Sequence, residues 1–231
     1  VKKCDGVFIN AVPLGIAYAG LRNIYFYPFS IDVKLVKFKI YRTSINSLVH
    51  VSSPSPQKDW ERSEAIMKRT GLKHHVFPPR DDRVLQKRVD VNNMMNSFRK
   101  SIGVREREYL PFGYFSHEET VRQYNAHDGF VHIARDIKDA GRLDGKYTAS
   151  FIEAGITGAI LFWHDTYGTK NTLKTVFELP LDPKKAAKKI LEIRDTIDVY
   201  EHSKKTRQEM LDSFNPQNSV RIRAEKIIDL L

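Results

Sequence analysis

The chain has 231 residues, with 38 Lys and Arg against 28 Asp and Glu, a formal net charge of +10, and 41% hydrophobic residues. That apolar content can fill a core, which excludes a disordered or low-complexity chain, and a lone cysteine, Cys4, excludes both an internal disulfide framework and a cysteine-rich zinc site. The single thiol suits a reducing, cytoplasmic setting, and the basic balance suits negatively charged partners: phosphorylated ligands, nucleic acid or an anionic membrane surface.

The longest apolar stretches, Gly6 to Leu21 and Ala154 to Trp163, are too short or too interrupted by Gly, Pro and polar residues to cross a bilayer as helices. The opening VKKCDGVFIN has no initiator Met, no small-residue cleavage site and no free basic region, so the chain is expected to be a piece of a longer protein.

In chain order, GVFINAV, then PLGIAYAGL opened by Pro13, then IYFYPFSI read as strand, helix and strand, one β-α-β unit before residue 32. Asp32 to Ser44, DVKLVKFKIYRTS, alternates apolar and basic residues and is expected to be a connecting or edge element at a domain boundary. SLVHVSS reads as a strand that breaks at SPSPQKDWERSE, with an amphipathic helix starting near Lys58. The alternation continues through HHVFPP, the helical NNMMNSFRKSIG, EYLPFGYF, the helical HEETVRQYNA, the strand GFVHIA, the helix ending IEAGITG and the strand AILFWHD. Such alternation predicts an α/β fold, a mostly parallel sheet with helices on both faces. Asp182 and Pro183 mark the start of a helix through KKAAKKILEIRD, and two more helices are expected at about His202 to Phe214 and Val220 to Leu231.

Two loops combine the groups that bind anions, because strand-to-helix loops end on helix amides with no internal partner. Ser52 to Lys58 offers hydroxyls, including that of Ser53, early-helix amides and one lysine. Ala140 to Thr148 offers the flexible Gly141 and Gly145, the cations Arg142 and Lys146, and then Tyr147 and Thr148 at a helix start. Glu153 falls in the apolar, small-residue run FIEAGITGA, so its carboxylate must find hydroxyls or a cation; a ribose diol or a salt bridge to Lys or Arg would each satisfy it. His50, His117, His127, His132 and His164 lack metal-ligand spacing and read as structural. No phosphate-binding P-loop, dinucleotide fingerprint or hydrolase elbow occurs.

The order of these motifs resembles the C-terminal half of GT-B glycosyltransferases, in particular the large retaining family that includes sucrose synthases and many lipopolysaccharide and mannosyl transferases. VHVSSPSPQKD, YLPFGYFSHEETVRQYNAHDGFVHIA, FIEAGITGAILFWHD and FELPLDPKKAAKKILEI each resemble an element of that family, in its order, from about residue 46 onward. The resemblance implies a Rossmann-like donor domain over residues 45–231, preceded by residues 1–44 as the last β-α unit of an acceptor domain and a hinge. It implies that Lys58 contacts a donor diphosphate, that Thr148, Ala149 and Ser150 present amides to it, and that Glu153 holds the ribose. Phe112, Gly113 and Tyr114, with Phe115, would flank the nucleobase. Where the family has a phosphate-binding arginine this chain has Ser53, for which Arg142 or Lys146 could compensate, and the first of the family's two glutamates falls on Gly145.

The expected function is transfer of a sugar from a nucleoside-diphosphate sugar, with no cofactor or metal, to an unidentified acceptor such as a glycan, a lipid or a polyanion, at a membrane surface or in solution. The alternative is a non-catalytic basic module that binds nucleic acid or an anionic membrane through stretches such as RDDRVLQKR and KSIGVREREY.

Overall fold

A computed structural model describes residues 7–9, 24–26, 30–53, 58–79, 82–104, 115–134, 147–164 and 173–229. Strands β1 (Val7–Ile9) and β2 (Ile24–Phe26) pair in parallel as a small sheet of their own. Five further strands, β3 (Ser47–Val51), β4 (Lys73–Phe77), β5 (Gly129–Ile133), β6 (Ile160–His164) and β7 (Val176–Glu178), form an all-parallel sheet in the order β4-β3-β5-β6-β7. The central strands SLVHV, GFVHI and ILFWH are nearly continuously apolar, as strands covered on both faces must be.

The helices between these strands start where short polar side chains cap them. Asp59 caps α1 (Trp60–Thr70), accepting from Arg62 N at 3.2 Å, and Gly71 ends it at φ 70°. Helix α2 (Asp82–Ser101) follows β4. Ser116 and Glu119 form a reciprocal capping box at the start of α3 (His117–Ala126), and Thr148 caps α4 (Ala149–Ile156). Asp182 and Pro183 open α5 (Pro183–Thr196), as expected from the sequence. The last two helices start earlier than their apolar spacing suggests, because Asp198 caps α6 (Val199–Ser213) and Asn215 caps α7 (Pro216–Ile228).

Helices cover both faces of the sheet. On one face Ile66 and Met67 of α1 and Ala186, Ile190 and Ile193 of α5 pack on Leu48, Val131, Ile133, Ile160 and Phe162. On the other, Val121 and Tyr124 of α3, Phe151 and Ile152 of α4, and Met210 of α6 pack on Val49, Val51, Phe130, Leu161 and Trp163. Each fully buried large apolar side chain contributes about 1.5–3 kcal/mol. Helices α4 and α6 cross at Gly155, where a β-carbon would overlap the Met210 side chain, so this crossing admits only glycine without rearrangement.

Asp32 to Ser44 is a connection and forms no edge strand: a 3-10 turn at Val33–Leu35 runs into extended chain. Its anchor is Arg42, buried, whose guanidinium donates to the carbonyls of His127 (2.9 Å), Ile40 (2.6 Å) and Tyr124 (2.8 Å). Burial lowers the pKa of this guanidinium and the nearby Asp128 offsets part of that. Asp128 in turn accepts from Asn46 N (2.8 Å), Ser47 N (3.0 Å) and Ser47 Oγ (2.9 Å), joining the starts of β3 and β5. The helix expected at Pro13 and the segment EYLPFGYF, Phe115 apart, lie outside the described residues.

Arg42→Ala should cost about 2–4 kcal/mol in denaturant unfolding, because three carbonyls lose a buried charged donor; a loss under about 0.5 kcal/mol would show that water replaces it without penalty. Burial also lowers the pKa values of His75, reinforced by His127 and His74, and of His202, where a hydrogen bond to the Thr175 carbonyl opposes the shift. These rings stay neutral in the folded chain at pH values where the unfolded chain takes up protons. Their contribution is therefore complete above the ordinary histidine value of 6.5 and is lost as pH falls below it. The urea midpoint should drop between about pH 7.5 and about pH 5.5, and His202→Gln should shrink that drop.

Candidate functional site

The strand order reverses between β3 and β5, with β4 beside β3 and β6 beside β5, and in open α/β sheets the ligand crevice lies outside the carboxyl ends of the strands at such a switch point. The parallel register between these two strands covers only Leu48↔Gly129 and Val49↔Phe130. Beyond it the buried His50 ring takes over, its Nδ1 2.8 Å from the Val131 carbonyl oxygen and its Nε2 2.8 Å from Ser52 Oγ. A carbonyl only accepts, so Nδ1 carries a proton, and in the neutral ring Ser52 Oγ donates to Nε2. The His132 ring stacks on His50 at 5.7 Å.

After Ser53 the chain returns to the same edge. Lys58 forms an antiparallel bridge with Ala134, just past β5, and Asp59 N donates to the Ile133 carbonyl at 3.0 Å. Two of the sequence-predicted residues, the exposed Ser53 and the half-buried Lys58, thus lie at the carboxyl ends of the two strands that flank the crevice.

The start of α4 lies at this carboxyl edge as well, since the helix runs back toward the start of β6. Thr148 Oγ1 accepts from Phe151 N at 3.3 Å, and the Ala149 and Ser150 amides, first in the helix, have no intrahelical acceptor. One turn further on, Glu153 Oε1 lies 3.0 Å from His117 Nε2. The partner is neither the Lys nor the Arg that the sequence suggests but a histidine assigned there to structure alone. The signal that could have found it is the Ser116-x-x-Glu119 capping box, which puts His117 first in a helix facing the same edge. Tyr124 lies two turns further along α3, wholly buried, its hydroxyl near Glu153 and Ser150 without a well-formed hydrogen bond. Burial pushes this phenol well above its ordinary pKa, and the Glu153 carboxylate adds to the shift.

Other sequence-predicted residues are placed differently. The Tyr147 ring packs on Phe151 (5.6 Å), Trp163 (5.7 Å) and Phe214 (6.0 Å), so its face serves the core. Phe115 packs edge-on against Phe77 at 4.6 Å. Phe112, Gly113, Tyr114, Arg142, Gly145 and Lys146 lie outside the described residues. His164 Nδ1 donates to the Leu179 carbonyl at 2.6 Å, a structural bond between neighbouring segments. Among the described residues no helix is long and apolar enough to cross a membrane.

No family model matches the chain, and no curated protein matches it in sequence. Solved structures do. Anabaena Alr3699/HepE, solved in complex with UDP-glucose, matches at 14% identity over 98% of this chain and 64% of that one, with a TM-score of 0.61. The sucrose-phosphate synthase of Thermosynechococcus elongatus matches at 16% identity over 99% and 59% of the two chains, TM-score 0.64. A glycosyltransferase from Rickettsia africae matches at 12% identity over 97% and 63%, TM-score 0.63. These neighbours are GT-B glycosyltransferases, and the chain has their Rossmann-like α/β fold. It spans between 59% and 64% of the length of these three structures.

Tyr124→Phe tests the buried hydroxyl. Because that group forms no well-formed bond, its removal should leave unfolding stability unchanged or raise it by about 1 kcal/mol; a loss of similar size would show that it donates to Glu153 in solution.

Proposed function

We propose that this chain supplies the donor site of a glycosyltransferase that moves a sugar from a nucleoside-diphosphate sugar to an acceptor hydroxyl, with residues 1–44 ending an acceptor domain and residues 45–231 binding the donor. The observation that carries the reading is the meeting, at the carboxyl edge of the sheet, of the Ala149 and Ser150 amides, which have no intrahelical acceptor, and the Glu153 carboxylate one turn on. The amides suit an anion, and the carboxylate, which can only accept, suits the paired hydroxyls of a ribose. The fold adds support, since HepE was solved with UDP-glucose.

In this reading the anomeric carbon–oxygen bond of the donor breaks, the acceptor oxygen bonds to that carbon and loses its proton, and the nucleoside diphosphate leaves with the bonding electrons. Lys58, the Ala149 and Ser150 amides, and Arg142 and Lys146 from the preceding loop stabilise the charge on the departing diphosphate. Ser53 borders this pocket, and Phe112, Gly113 and Tyr114 flank the base. In this reading positive groups of the chain supply the counter-charge to the diphosphate, without a metal or cofactor. The acceptor is unidentified; a glycan, a lipid or a polyanion would each supply the hydroxyl.

Calorimetric or thermal-shift titration with UDP, GDP and their sugars should give a saturable response well above that of inorganic phosphate, the same in EDTA as in magnesium. Lys58→Ala and Glu153→Ala should each weaken it roughly tenfold or more. A response no larger than that of inorganic phosphate sinks the donor-site reading.

A further inference from the structure

We infer that His117 is the positioning residue for Glu153, and that through it the site separates a ribose diol from a sugar lacking the 2′-hydroxyl. The inference rests on the nucleotide reading above. Glu153 belongs to a helix whose neighbours Phe151, Ile152, Ala154, Gly155 and Ile156 are all buried, and its own side chain is 12% exposed. Its Oε1 takes the hydrogen bond from His117 Nε2, and no other well-formed hydrogen bond reaches the carboxylate among the described residues.

The His117 donor therefore fixes the rotamer and occupies part of one oxygen. The remaining acceptor capacity of the carboxylate is left for two donors, which a vicinal diol supplies and a phosphate does not. Tyr124 is wholly buried, with its hydroxyl close to the same carboxylate. The His117 side chain is 41% exposed, and a histidine–carboxylate pair at that exposure adds little to folding. Loss of the ring should consequently appear in ligand recognition while stability holds. A one-ångström misplacement of a group that orients a ligand can cost far more than the contact itself.

The test uses the 231-residue chain with UDP, GDP, their 2′-deoxy forms and inorganic diphosphate as probes. His117→Ala should weaken ribonucleotide binding roughly tenfold and shrink the preference over the 2′-deoxy forms, while inorganic diphosphate binds as before. His117→Gln, whose amide N–H can still donate to the carboxylate, should recover most of the loss. In the double variant with Glu153→Ala, His117→Ala should add nothing, because the two residues act as a unit. An unchanged ribonucleotide affinity, an equal loss for inorganic diphosphate, failure of glutamine to rescue, or additive effects would each overturn the role of His117. A wild-type chain that binds diphosphate but neither ribonucleotide any better overturns the nucleotide reading along with it.

Discussion

Two neighbouring parallel strands that send their chains in opposite directions must part at their carboxyl ends, and the architecture of this site follows from that constraint. Where β3 and β5 separate, past Val49 and Phe130, the backbone groups at the centre of a covered sheet lose their ladder partners. A buried carbonyl without a donor is costly, and His50 removes the cost by donating to Val131. Its other nitrogen binds Ser52, so the residue that repairs the sheet also shapes the first turn of the loop at the crevice. The Lys58–Ala134 bridge closes the same gap from outside and brings a cation back to the mouth.

The same wiring sets the electrostatics. Every helix that returns to a parallel strand starts at the carboxyl edge, so α1, α3 and α4 all point their positive ends there. Asp59, the Ser116–Glu119 box and Thr148 satisfy part of each terminus, and the first two amides of α4 have no intrahelical acceptor. Glu153, one turn into α4, is steered by His117 at the start of α3.

Rigidity comes from the far side of the molecule. Arg42 and Asp128 tie the connecting segment, the end of α3 and the starts of β3 and β5 into one network of charged hydrogen bonds. The close crossing of α4 and α6 at Gly155 holds α4 against the sheet. Because α3 and α4 are both anchored in this way, the distance between His117 and the largely buried Glu153 is set by the scaffold.

The sequence by itself determined the α/β class, the parallel sheet and the start of α5 at Asp182 and Pro183, because alternation, caps and turn residues act within a few positions of each other. The starts of α6 and α7 were equally local, at Asp198 and Asn215, yet the apolar spacing drew attention downstream of them. Only the tertiary structure decided the strand order, the repair of the sheet by His50, the burial of Arg42, the turn of the Tyr147 ring into the core, and the pairing of Glu153 with His117. Each of those joins residues far apart in the chain, where neither periodicity nor propensity carries information. Glu153 shows the division: its need for a partner was legible from an acid set in an apolar helix, but which partner was decided by the packing of α3 against α4.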